Sequence, residues 1–222
     1  MDMNKVNFLL CTTALTALIA GSSGHAFAGV ITEIVSYPLT ATPDNQTLHF
    51  QGYTALGGVN TLQSVVVSVT DTVNGTVTGK NTTTTNGLTF SSSVKNTLTL
   101  TSQPANLTLP TIINISNGSG TQTLAAGASF TSPILTGVVT KASTATGPLT
   151  DFLGGWSLGF NEVGNYLGTA SSGVTLSAAT QGAATVDVTY TFSNAVPEPL
   201  SIAVLGAGLA GLGVVRRRRA KA

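Results

Sequence analysis

The sequence predicts an all-β fold: an antiparallel β-sandwich of about eight to ten strands, flanked by an N-terminal signal-peptide helix and a C-terminal transmembrane helix. Three observations carry that prediction. The middle of the chain alternates apolar and polar residues with a period of two. It is rich in threonine and poor in charge, and its breaks fall at proline, glycine and asparagine. No middle segment shows a helical period with caps.

The chain opens with a short segment carrying Lys5, followed by an uncharged, mostly apolar run over residues 6–20. Small residues come next, ending in Ala26-Phe27-Ala28. This is the order of a secretory signal: basic start, apolar centre, and an A-x-A site whose small side chains fit signal peptidase. Residues 1–28 are therefore expected to pass through the Sec export machinery and to be cut before Gly29. The apolar run is short for a membrane span.

Residues 29–195 form the predicted domain. Threonine supplies 34 of these 167 residues, a composition suited to strands, because the methyl packs on the pleat while the hydroxyl meets water. Val186, Val188, Tyr190 and Phe192 are expected to share one face, and so are Val65, Val67 and Val69. Leu98 and Leu100 alternate with threonines in the same way. Asn74-Gly75 predicts a hairpin turn between strands over 61–73 and 76–80, with further turns at Asn86-Gly87 and Asn117-Gly118. Pro38, Pro43, Pro104, Pro110, Pro133 and Pro148 are expected between strands or at their edges. Few charges on long threonine-rich strands leave the sheet edges open to pairing with other chains.

The acids of this segment are Glu33, Asp44, Asp71, Asp151, Glu162 and Asp187, against Lys80, Lys95 and Lys141, a net charge of −3. That balance gives no footprint for nucleic acid. Most of the acids read as turn or surface residues. The one cysteine, Cys11, lies in the signal segment, so the domain has no thiol, disulfide or cysteine-ligated metal. Its one histidine, His49, reads as a solvent-facing strand residue, and there is no G-x-S-x-G elbow around a nucleophile. One histidine with scattered acids does not supply a zinc site, and no calcium-loop motif occurs. No catalytic residue, cofactor or metal is predicted. A glycosidase-like acid pair would need two facing carboxylates in a groove. Trp156 lies in the one dense cluster of aromatics and glycines, with Phe152, Phe160 and Tyr166. It reads first as the core tryptophan of a sandwich, and second as a stacking platform for a sugar. Six N-x-[ST] sequons begin at Asn45, Asn74, Asn81, Asn106, Asn114 and Asn117, a chance yield of such a composition.

Residues 196–222 form three parts in order. Val196-Pro197-Glu198-Pro199 must be extended. Residues 200–215 are uncharged and mostly apolar, long enough as a helix to reach roughly 24 Å into a bilayer. Arg216, Arg217, Arg218 and Arg219 follow, a basic cluster expected to stay in the cytoplasm. The literal G-x-G-x-x-G at residues 206–211 lacks the following helix, strand and acid of a dinucleotide site. Its glycines fit helix packing in a membrane.

This tail resembles the PEP-CTERM sorting signal of Gram-negative bacteria, on Val196-Pro197-Glu198-Pro199, the glycine- and leucine-rich 200–215 and the arginine cluster. The resemblance implies a recognition site for an exosortase, a membrane peptidase cutting near Pro-Glu-Pro, in a protein held first at the inner membrane. It also implies release to a cell surface or an exopolysaccharide matrix. Residues 56–67, 72–77 and 186–192 are similar to the choice-of-anchor E domain, which implies architecture and location and no catalytic residues. Together these features predict a non-enzymatic surface or biofilm-matrix protein acting structurally or adhesively. The alternative is a secreted carbohydrate-binding module working through Trp156.

Overall fold

The computed structural model describes residues 16–18, 28–58 and 61–193. Among them the chain forms eleven strands and one short 3-10 turn, Leu149–Phe152. The strands are β1 (Thr16–Leu18), β2 (Ala28–Ala41), β3 (Asp44–Phe50), β4 (Thr61–Asn81), β5 (Leu88–Ser102) and β6 (Ile112–Ile115). They continue as β7 (Gln122–Leu124), β8 (Ser129–Thr131), β9 (Leu135–Thr144), β10 (Trp156–Ala170) and β11 (Val174–Ser193). All pairings are antiparallel.

The strands make two sheets. One runs β1-β2-β11-β4, with β9 and β8 lying end to end along the far edge of β4. The other runs β3-β10-β5, with β6 and β7 sharing the far edge of β5. Their inner faces close on one large hydrophobic core holding Val65, Val67, Val69, Leu98, Phe160, Val186, Val188 and Tyr190. The predicted sandwich is thus observed, and the alternation read from β4 and β11 points the residues it named into that core. Strands β4 and β11 pair along their whole lengths, from Thr61 opposite Ser193 to Asn81 opposite Val174. Strand β2 begins at the same end, with Ala28 opposite Ser193 and Gly29 opposite Phe192. At the other end the loops around Thr83 and Ala125 are tied together by the buried Asn81 amide, which donates to the Thr85 and Ala125 carbonyls and accepts from Thr83, while Thr82 donates to the Gly173 carbonyl. Of the six sequons, Asn81 and Asn114 are buried.

Two expectations are corrected. Asn74-Gly75 is not a turn: β4 runs straight through it, with Asn74 opposite Gln181 and Thr136. The glycine is there because a side chain would meet the Ala179 carbonyl, 2.5 Å from an added Cβ. Pro38 lies inside β2 rather than between strands. It sits in the stretch of β2 where the register with β11 slips between Gly182 and Ala184, a bulge that tolerates a missing donor. Asn86-Gly87 does turn, with Gly87 at φ 75°, and β2 reaches β3 through a cis peptide between Thr42 and Pro43.

Of the expected signal-peptide segment, residues 1–28, only Thr16–Leu18 and Ala28 are described, Thr16–Leu18 as a short strand laid along β2 and Ala28 as the first residue of β2 itself. The motif Val196-Pro197-Glu198-Pro199, the apolar segment 200–215 and Arg216 to Arg219 lie outside the described residues. Among the described residues no helix is long and apolar enough to cross a membrane.

Candidate functional site

At one level of the sandwich the inward positions of four neighbouring strands are occupied by polar residues. On β4, Asp71 stands between Val69 and Val73; on β5, Asn96 stands between Val94 and Leu98. On β10, Glu162 follows Phe160, and on β6, Asn114 follows Ile112. All four are buried, Asp71 at 0% exposure and Glu162 at 1%. Together they form a polar belt across the sandwich. On one side lies the large core; on the other a small one of Val73, Val77, Val94 and Leu135.

The belt is held by directed hydrogen bonds. The Asn96 amide donates to Asp71 Oδ1 at 2.9 Å and to Glu162 Oε1 at 2.5 Å, bridging the two sheets. The Tyr37 hydroxyl donates to Glu162 Oε2 at 3.1 Å. Asn114 donates to the carbonyls of Asp71 and Gly137, tying β6 to the opposite sheet. Gly182 leaves the space that the Glu162 carboxyl occupies. Asp71 Oδ2 is buried and receives no N–H or ordinary O–H donor. The carboxyls of Asp71 and Glu162 thus share one amide, each within hydrogen-bond distance of the Asn96 nitrogen. Two ionised carboxylates so placed and so buried repel, and a proton on one of them removes the repulsion.

Electrostatics agree. Burial is the main cause that lifts Glu162 from its ordinary range to about 7, helped by the neighbouring Asp71, while the Asn96 and Tyr37 bonds pull it down. Burial likewise raises Asp71. Burial and the Glu162 charge push the Tyr37 hydroxyl far above its usual value, so it stays a donor. No lysine or arginine is among the groups acting on either acid.

Three of the six acids are therefore core residues, contrary to the reading of most of them as turn or surface groups: Glu33 joins Asp71 and Glu162 in burial. The reason is strand parity. Each falls on the inward register of its strand, and hydrogen-bond donors offset the loss of water. Parity was the signal available in the sequence, since Asp71 continues the series Val65, Val67, Val69.

Glu33 belongs to a second network. The Gln51 backbone N–H donates to Glu33 Oε1 at 2.7 Å, and the Tyr190 hydroxyl donates to Oε2 at 3.3 Å. Trp156 Nε1 donates in turn to the Tyr190 hydroxyl at 3.0 Å. The indole stacks on Phe50 with centroids 4.2 Å apart and meets the edge of Phe152 at 5.1 Å. At 8% exposure, Trp156 is the core tryptophan of the sandwich and has no open ring face for a sugar. His49 is exposed on β3, as read. Gly29 packs its bare Cα against the Phe192 ring, and Ala28 is the first residue of β2; Ala26 lies outside the described residues.

A cleft of about 540 Å³ opens beyond the belt, lined by Thr42, Asn74, Gly75, Gly164, Thr180 and Gln181 among others, none of them charged. Among the described residues no group of three or more histidines, cysteines or acids is placed to hold a metal.

The class the fold defines is an antiparallel β-sandwich with a buried acid pair. No protein-family model matches the chain, and no curated protein does. Among solved structures it is similar to a chain of the infectious bursal disease virus particle, 14% identical, covering 74% of this chain and 40% of that one, at a TM-score of 0.17. A chain of the Gx strain of that virus is 13% identical over 82% of this chain and 46% of its own, at a TM-score of 0.18. The protein spans less than half the length of these viral chains, and superpositions this loose carry neither fold nor function across.

Proposed function

We propose that this is an exported cell-surface or extracellular-matrix protein of structural or adhesive role. In this reading it is carried by the Sec machinery, cut by signal peptidase before Gly29, held briefly in the inner membrane by residues 200–215, and processed by an exosortase-like peptidase at Val196 to Pro199. Exopolysaccharide is its proposed surrounding. The observation that supports the reading is that Ala28 and Ser193, the residues next to the two motifs, face each other in register at one end of the sheet. Of the described strands only β1, Thr16–Leu18, lies in the segment that signal peptidase would remove. A chain trimmed at both motifs keeps the whole of β2 to β11 apart from Ala28 itself. A structural rather than catalytic role is supported by the acid pair, which lies in the core and not in a groove. The reading through a Trp156 sugar platform loses its support, because that ring is packed.

The test is the intact mass and C-terminal sequence of the protein recovered from its producing cells. The expected species begins at Gly29 and ends near Val196 to Pro199. A species that begins at Gly29 and retains Arg216 to Arg219 would instead define a permanent membrane anchor and remove the matrix role. One that retains residues 1–28 would overturn export.

A further inference from the structure

The polar belt is made of acids and amides with no cation. Facing the pair are Asn96 from β5 and Tyr37 from β2; Asn114 from β6 bonds the Asp71 backbone carbonyl and, with Asn96, also favours the ionised Asp71 carboxyl, against the larger effect of burial. Gly182 from β11 supplies only space, and a further acid, Asp44 at the start of β3, acts on Tyr37. Lys95 adjoins Asn96 in the chain and so points to the opposite face of its sheet. Two buried negative charges side by side, without a positive partner, cost far more than their few hydrogen bonds return. One proton on either carboxyl removes the repulsion. An unfolded chain has no such need, since each acid is then solvated alone.

We propose that the domain takes up one proton on folding, holds it between Asp71 and Glu162, and is thereby tuned to be most stable in mildly acidic surroundings. The sign follows from linkage. Both groups bind protons more tightly when folded than when unfolded, so their contribution is complete below the ordinary carboxyl range. It is lost as pH rises toward the folded Glu162 value of about 7. Most buried carboxylates paired with cations give the reverse, losing stability toward acid.

Urea unfolding of the full chain across about pH 4.5 to 8 tests this. The unfolding constant is expected to rise with pH by up to about tenfold per unit, the slope of a single proton. Glu162→Gln and Asp71→Asn should each flatten that slope and narrow the gap between acid and alkaline midpoints. Equal slopes in wild type and both variants would overturn the proposal. Infrared spectroscopy of the wild type needs no variant to fold. A protonated-carboxyl band persisting at about pH 6, where ordinary acids are ionised, is expected. Its absence would sink the idea.

Discussion

Gly182 on β11 stands where any side chain would overlap the carboxyl of Glu162 on the facing sheet. The glycine and the acid are halves of one arrangement: the bare backbone opens a recess, and the carboxyl fills it beside Asn96 and Tyr37.

Gly182→Ala should therefore displace the acid from its donors and destabilise the protein by about 2–3 kcal/mol. In a Glu162→Ala background the same change should cost less than about 1 kcal/mol, because the recess is then empty. A double-mutant cycle from urea midpoints checks this, and additive costs would refute the coupling.

Trp156 donates to Tyr190 and Tyr190 to the accepting carboxyl of Glu33, a chain in which each link depends on the next. Trp156→Phe keeps most of the packing and leaves the Tyr190 oxygen with one partner fewer, at an expected cost of about 1–2 kcal/mol. Tyr190→Phe strands both the indole N–H and a Glu33 oxygen, at about 2–3 kcal/mol. Circular dichroism follows both variants. In the wild type, the protein's one tryptophan should emit at short wavelength when folded and shift to the red on unfolding.

Gly75 separates two readings of Asn74-Gly75. In a hairpin turn, replacing glycine by alanine costs about 1 kcal/mol. Inside β4, the added methyl group meets the Ala179 carbonyl at 2.5 Å and Val94 at 3.1 Å. The expected loss for Gly75→Ala is about 3 kcal/mol, since backbone moves less readily than a side chain. A thermal midpoint measured beside wild type decides between them.

The most exposed large apolar residues of the domain include Ile113 at 53%, Ile134 at 71% and Val138 at 59%. They lie on or beside β6 and β9, strands paired along one edge only. Val138→Lys should leave folding stability within about 0.5 kcal/mol and raise the temperature at which heated samples turn turbid. An unchanged onset would show that this edge does not lead aggregation.

The sandwich was legible because its strongest strands state their parity openly: Val65, Val67 and Val69 on β4, and Val186 to Phe192 on β11, needed only a period of two. Asn74-Gly75 misled because a dipeptide that favours a turn also suits a close crossing of two backbones. Which use applies depends on β9 and β11, distant in sequence. The polar belt was hidden for a related reason. Asp71 continues an inward series, but its partners, Asn96 and Glu162, come from strands on the opposite sheet, and no local pattern announces their meeting. Trp156 was readable as a core residue from its aromatic neighbours, whereas its bond to Tyr190 depends on how the two sheets stack.

The full-length pairing of β4 with β11 has a further meaning for a protein held by one end. At about 3.3 Å per residue, the 20 residues of β11 extend roughly 65 Å. Ala28 and Ser193 share the base of that span, and the Asn81-bound loops form its summit. A chain fastened through its tail would stand as a short mast. Under the proposed anchoring, its threonine-bearing tip, Thr82 to Thr85, would be the part held farthest from the tail.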